Sequence, residues 1–252
     1  SKEAGCSVSV LAPPPPATWV ANDKAMLSET VMRVLDSDWI VETRCGRDEE
    51  TLAKALLEMG GRHSRVGLKR TRCASGMGNV HWNLAAEGVT DLAGAQAKVA
   101  AFLKRTLWEG DEEVLVVAWE ETQLSPSTQM WIPPLGEGPP VLDGIYEQIL
   151  KDAEGVFVGS RPSSLPTAVN LKMARASLQV SAAFQAMGYV GRCSFDLLVL
   201  GDPEGEFQCK FIECNGRWGG TSTPMSLVER LVEGPRPPYR AQDFVHPDLA
   251  GA

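Results

Sequence analysis

The sequence predicts an α+β chain built as two mixed lobes, and three observations carry that reading. Apolar residues recur at helical spacing in several stretches, with short apolar runs bounded by turn residues between them, so helices and strands alternate. The 252 residues are enough for one large domain or two small lobes, with ample length to bury a core. Composition is ordinary for a globular protein, 44% hydrophobic and 22% charged, with no low-complexity bulk.

Taken in order, residues 1–18 contain four consecutive prolines at 13–16, a run expected to form a stiff polyproline linker and not a helix. Leu27, Val31, Val34 and Leu35 mark a helical stripe starting near Asp23, and residues 39–43 read as a strand. Leu52, Ala55, Leu56 and Met59 mark a second helix, with Asp48 as N-cap and Gly60 as its stop. Strands are expected at 65–70 and 113–119, with a third helix between them on Leu92, Ala95, Val99, Phe102 and Leu103. These elements define a first lobe over residues 19–120.

The second lobe, 121–233, opens on a Pro-rich passage at 125–140, read as loop with room for a short strand at 129–132. A long helix is expected over 168–187, with Leu171, Ala174, Leu178 and Ala182 on one side and Gly188 as its cap. Apolar runs at 192–200 and 206–214, separated by Gly201-Asp202-Pro203-Glu204-Gly205, predict a hairpin. Residues 234–252 hold four prolines and little periodicity, and are read as a tail packed on the surface.

Charge and composition narrow the function classes. The 24 Lys plus Arg against 32 Asp plus Glu give a net −8, which disfavours a protein whose task is to neutralise a phosphate backbone, so no nucleic-acid partner is expected. No apolar run is long enough for a membrane span and the start of the chain lacks a secretory pattern, so the expectation is a soluble cytoplasmic protein without a membrane partner. The six cysteines stand singly and are read as reduced thiols, those at 193, 209 and 214 as small core fillers. The three histidines make no zinc spacing with them. Because the chain opens with Ser, an upstream domain, or pairing with a second copy, is conceivable.

Chemistry concentrates at the end of the hairpin, in Phe211-Ile212-Glu213-Cys214-Asn215-Gly216-Arg217-Trp218-Gly219-Gly220-Thr221. Glu213 and Asn215 are two apart, so an extended backbone points both to one face. With Asp196 on the neighbouring strand they form a hard-oxygen set suited to magnesium, and Arg217 adds a positive fork for phosphate oxygens. In the first lobe, Lys69 ends a strand and leads into Ala74-Ser75-Gly76-Met77-Gly78, read equally as a phosphate-cradling loop or a plain surface turn. The strand ending at Trp119 runs into Glu120-Glu121 at the border of the lobes, either a carboxylate for the amine of adenine or a strand running out into solvent. Arg161, after Gly159-Ser160, is a candidate grip for a substrate carboxylate or a phosphate.

The order of these features, Lys24 in Asn22-Asp23-Lys24, Lys69 with its loop, the acidic hinge, then Asp196, Glu213, Asn215 and Arg217, resembles the ATP-grasp superfamily over residues 19–232. Gly188-Tyr189-Val190-Gly191-Arg192-Cys193-Ser194-Phe195-Asp196, followed by Glu213 to Pro224, looks most like the peptide ligases of pheganomycin type. The resemblance implies an ATP-grasp fold, with Lys24 and Lys69 on the ATP phosphates, the Ser75, Gly76 and Gly78 loop as their lid, and Glu120 or Glu121 at adenine. Asp196, Glu213 and Asn215 would hold Mg2+, and Arg217 would meet the transferring phosphoryl group. The implied reaction joins a small-molecule carboxylate to an amine through an acyl phosphate with release of ADP. Members normally carry a further domain before the grasp lobes, where only about eighteen residues precede them here. A non-catalytic ATP-binding module and a phosphotransferase on the same lobes stand as alternatives.

Overall fold

The computed structural model describes residues 12–73, 78–110, 112–122, 124–151, 156–234 and 240–242. Helix α1 (Pro15–Asn22) starts inside the proline run, which corrects the linker reading. Proline carries its fixed φ without cost in a first helical turn, where no N–H is needed. Helix α2 (Lys24–Val34) follows, capped by Asp23, whose side chain accepts from the N–H groups of Ala25 and Met26. The strand expected at 39–43 is displaced by a 3-10 turn, Ser37–Trp39, because the Asp36 carboxylate accepts from the Asp38 N–H; the strand β1 runs Thr43–Gly46 instead.

Strands β1, β2 (Val66–Arg70), β3 (Asn79–Trp82) and β4 (Val114–Ala118) form an antiparallel sheet in the order β1-β4-β2-β3. Helices α3 (Glu49–Gly60, capped by Asp48 as expected) and α4 (Leu92–Arg105) cover one face. Leu52, Leu56, Met59, Val99 and Phe102 there bury against Val66, Leu68, Val114 and Val116. The other face carries Leu115 and Val117, packed with Val41, Trp119, Ala25 of α2 and Ile212 of the second sheet. Lys69 is opposite Leu115 in register, so its side chain projects from that inner face.

The second sheet has six antiparallel strands: β5 (Pro126–Ile132), β6 (Val141–Lys151), β7 (Val156–Pro162), β8 (Gly191–Gly201), β9 (Phe207–Asn215) and β10 (Ala241–Gln242), in the order β10-β7-β6-β5-β8-β9. The short strand expected at 129–132 is the second part of β5, which starts earlier, at Pro126, and β6 and β7 add a hairpin the sequence did not announce. Helix α5 (Thr167–Ala186) lies where the long helix was expected and ends before Gly188, whose φ is +88°, but the buried side is not the expected one: Leu171 and Ala182 face solvent. Its Val169, Met173, Val180 and Phe184 pack on one face of the sheet with Met130, Phe195, Leu197 and Phe211, and α1 and α2 add Ala17, Ala21, Leu27 and Val31 to this same core. Cys193, Cys209 and Cys214 fill it as free, buried thiols. A short helix α6 (Ser222–Leu231) follows β9. No helix among the described residues is long and apolar enough to cross a membrane.

Candidate functional site

Strand register builds the acidic side. Asp196 on β8 stands directly across from Glu213 on β9 and from Ser127 on β5, and in the next row of the same face Ser194 stands across from Asn215 and Gln129. Helix α5 covers the opposite face, so these polar residues look toward the first sheet. Asn215 Nδ2 donates to Asp196 Oδ2 at 3.1 Å, and Arg217 Nη2 donates to Asn215 Oδ1 at 3.0 Å. Burial, with the Glu213 charge opposite, pushes the Asp196 carboxyl up to about 7, although the Ser127 hydroxyl and the Asn215 amide act the other way. Among the described residues no three His, Cys, Asp or Glu gather at one point. A cation held here would therefore draw on two carboxylates and the Asn215 amide oxygen, a donor set that fits a hard ion such as Mg2+.

Lys24 and Lys69 supply the basic side and meet this group. The Lys24 ammonium, only 4% exposed, lies 3.2 Å from Glu213 Oε2 and donates to the Cys73 carbonyl at 2.9 Å. Lys69 is buried and sits 5.0 Å over the Trp119 ring. Burial pushes its ammonium down to about 8, an effect the Glu213 charge opposes and the Lys24 charge reinforces. Two ammonium groups from the first half thus converge on a carboxylate from the last hairpin. Trp119 also stacks on His81 at 4.4 Å, and Gly67 makes room for it: a Cβ there would come within 2.7 Å of the indole.

Two polar networks escaped the sequence reading. The first is a directed chain of hydrogen bonds: Gly219 N–H donates to Ser222 Oγ (3.1 Å), Ser222 Oγ donates to Gln129 Oε1 (3.1 Å), and Gln129 Nε2 donates to Ser127 Oγ (3.0 Å). The Ser127 hydroxyl then bonds Asp196. Ser127, Gln129 and Ser222 are each 2% exposed, so the chain fixes Asp196 to the turn that carries Arg217. Gln129→Met cuts it in the middle and leaves the buried Ser222 O–H without its acceptor; a loss of about 1–3 kcal/mol is expected in chemical denaturation. A loss indistinguishable from zero would mean that the chain holds nothing in place.

The second network lies under the loop that follows β2. The Glu112 carboxylate accepts from Arg70 Nε, from Thr71 Oγ1 at 3.0 Å, and pairs with Arg72 Nε at 3.2 Å. Arg72 also reaches Asp23 and lies 4.6 Å over Trp19. The Lys24 N–H donates to the Thr71 carbonyl, so this cluster ties the first turn of α2 to the end of β2. Of the expected loop, Ser75 and Gly76 lie outside the described residues. Gly78 closes the turn, its carbonyl accepting from the Arg70 N–H and its Cα leaving no space for a Cβ beside Cys73.

Two acids at the hinge part company. Glu121 is exposed and pairs with Arg65 at 2.7 Å, whereas Glu120 is half-buried beside Trp119. Arg161 does not join the site. It faces Glu147 in a row next to the one containing Pro162, Tyr146, Ser127 and Asp196, so its side chain projects from the other face, where its Nη2 bonds Glu147 at 2.6 Å.

No protein-family model matches the chain and no curated protein matches it. Solved structures do. A biotin carboxylase from Campylobacter jejuni, in complex with β,γ-ATP, superimposes with a TM-score of 0.66 at 16% identity, over 86% of this chain and 45% of that one. D-alanyl-alanine synthetase A from Vibrio cholerae gives 0.64 at 13% identity, over 90% and 65%. An N5-carboxyaminoimidazole synthase from Aspergillus clavatus, bound to ADP and its ribonucleotide, gives 0.62 at 15%, over 87% and 50%. The chain therefore spans about half to two thirds of the length of these matches. Its fold is the ATP-grasp fold, as the order of sequence features led us to expect.

Proposed function

We propose that the chain binds ATP with Mg2+ between its two sheets and joins a small-molecule carboxylate to an amine. One observation supports this above others: Lys24 and Lys69 converge on Glu213, which stands across from Asp196. Lys24 and Lys69 take the phosphates. Glu120 meets the adenine amine, since Glu121 is engaged by Arg65. Asp196, Glu213 and Asn215 hold the metal ion, which would offset charge on the phosphoryl oxygens. Arg217 turns from Asn215 toward the transferring group, and Arg161 has no part.

In this reading a carboxylate oxygen attacks the γ-phosphorus, the bond to ADP breaks, and an acyl phosphate forms. The amine then attacks the carbonyl carbon, phosphate leaves, and the amine proton passes to solvent. Positioning and charge stabilisation suffice, and no covalent enzyme nucleophile is needed. The block from Gly188 to Pro224 favours a peptide ligase of pheganomycin type. A nucleotide-binding module of a larger protein is the second reading, favoured by the chain covering only 45% of the biotin carboxylase it matches.

Incubation with Mg2+, ATP and a panel of amino acids and short peptides tests this. An amide product with stoichiometric ADP is expected; nucleotide binding without turnover would select the module, and a stable phosphorylated product a phosphotransferase. A pH profile is expected as well. Cation binding needs ionised Asp196, whose free carboxyl titrates near 7, and phosphate binding needs charged Lys69, which titrates near 8. Affinity for the Mg2+ complex of a nonhydrolysable ATP analogue should weaken at acid pH as Asp196, its carboxyl raised by burial and by Glu213, gains a proton, and at alkaline pH as Lys69, its ammonium lowered by burial, loses one. Calorimetric titration across the range checks this, and a flat profile would remove both groups from the binding step.

A further inference from the structure

We propose that Lys24 holds the place of the divalent cation: its ammonium keeps Glu213 closed to a free metal ion and releases it only when a polyphosphate arrives to take the ammonium instead. The inference rests on the proposed function, because it concerns how the same site fills. Lys24 is fixed at the first position of α2, where Asp23 caps the helix and the Lys24 N–H donates to the Thr71 carbonyl. From there its ammonium has two partners, the Cys73 carbonyl at 2.9 Å and the Glu213 carboxylate at 3.2 Å, and almost no contact with water. The second ammonium, on Lys69, is buried within electrostatic reach of both, lies over Trp119, and has no hydrogen-bond acceptor among the described residues.

Before any ligand enters, the ammonium groups of Lys24 and Lys69 thus already face the carboxylate side, Glu213 with Asp196 across from it, while Arg217 acts on Asp196 from the turn beyond. The Glu213 side chain is 30% exposed, but a free dication that takes its charge competes with Lys24, whose 4%-exposed ammonium is then left with a neutral carbonyl, beside Lys69 and the new charge. Breaking an enclosed ion pair by removing one partner is costly because the other stays behind uncompensated. A polyphosphate alone drags Lys24 off and leaves the two carboxylates facing each other across the strands. Arriving together, the anion takes the ammonium groups and the cation takes the carboxylates, and nothing is stranded. Metal and nucleotide then strengthen each other's binding through a single side chain, reciprocally.

The test is a Mn2+ titration followed by electron paramagnetic resonance, without nucleotide. Lys24→Met is expected to bind free Mn2+ about tenfold more tightly than the wild type while binding a nonhydrolysable ATP analogue about tenfold more weakly, effects of opposite sign from one substitution. Lys24→Arg keeps the charge and should leave free Mn2+ as poorly bound as in the wild type. Adding Glu213→Gln to Lys24→Met should erase the gain. Should the Met variant fail to fold by circular dichroism, Lys24→Gln carries the same expectations. Unchanged or weakened Mn2+ binding in a folded, neutral variant overturns the inference alone, provided the wild type binds nucleotide with Mg2+. Absence of that nucleotide binding overturns the proposed function and the inference together.

Discussion

Glu213→Gln is expected to lower ATP-dependent turnover by about three orders of magnitude, the scale on which removal of one preorganised charge-stabilising group is felt. The amide keeps the shape and an oxygen but brings no charge, so it can neither hold a divalent cation nor balance Lys24. Stability should fall much less. Glu213 is half-buried and its side chain is 30% exposed, so the pair it makes with Lys24 is screened, and the loss should stay below the about 3–5 kcal/mol of a fully buried broken pair. Coupled measurement of ADP release with thermal melting separates the two effects. Undiminished turnover in a folded variant would remove Glu213 from the metal side of the site.

Glu112→Ala should show the reverse balance, with a loss of about 3–5 kcal/mol in denaturant titration. Glu112 is 5% exposed and takes bonds from Arg70, Thr71 and Arg72 at once. Removing it leaves the buried Arg70, among the described residues, with the Thr106 carbonyl, and leaves Arg72 with Asp23 and the Trp19 ring. Adding Arg70→Met should recover part of the loss, because the stranded cation goes with it. A single variant that unfolds at the wild-type midpoint would show that water already screens this cluster.

Helices α3 and α4 were legible because apolar residues at helical spacing mark the buried face of each, with Asp48 capping the first; α5 was legible as a long helix, but the stripe read there, Leu171 to Ala182, is not the face that packs. Strands β2 and β4 were legible as apolar runs buried on both faces. Helix α6 was not, since only Ser222 and Met225 are buried and Leu227 and Leu231 face solvent, leaving no stripe to read. In the site, Glu213 and Asn215 could be placed on one face from their spacing. The Lys24–Glu213 contact could not, because nothing local records which helix terminus meets which strand end. Ser127 read as loop and Gln129 as the start of a short strand, and both acquire meaning only once β5 is paired with β8. Arg161 misled for the same reason: one step of strand register decides the face.

Helices α1 and α2 come early in the chain yet bury their apolar sides against α5, β8 and β9, which come late. During synthesis they must wait, apolar side uncovered, while the four-stranded sheet and its two covering helices emerge and close on a core of their own. The larger half cannot be completed until the β8–β9 hairpin leaves the ribosome and captures the helices made well before it. Its closure is thus a long-range event, slow by the ordinary dependence of folding rate on sequence separation.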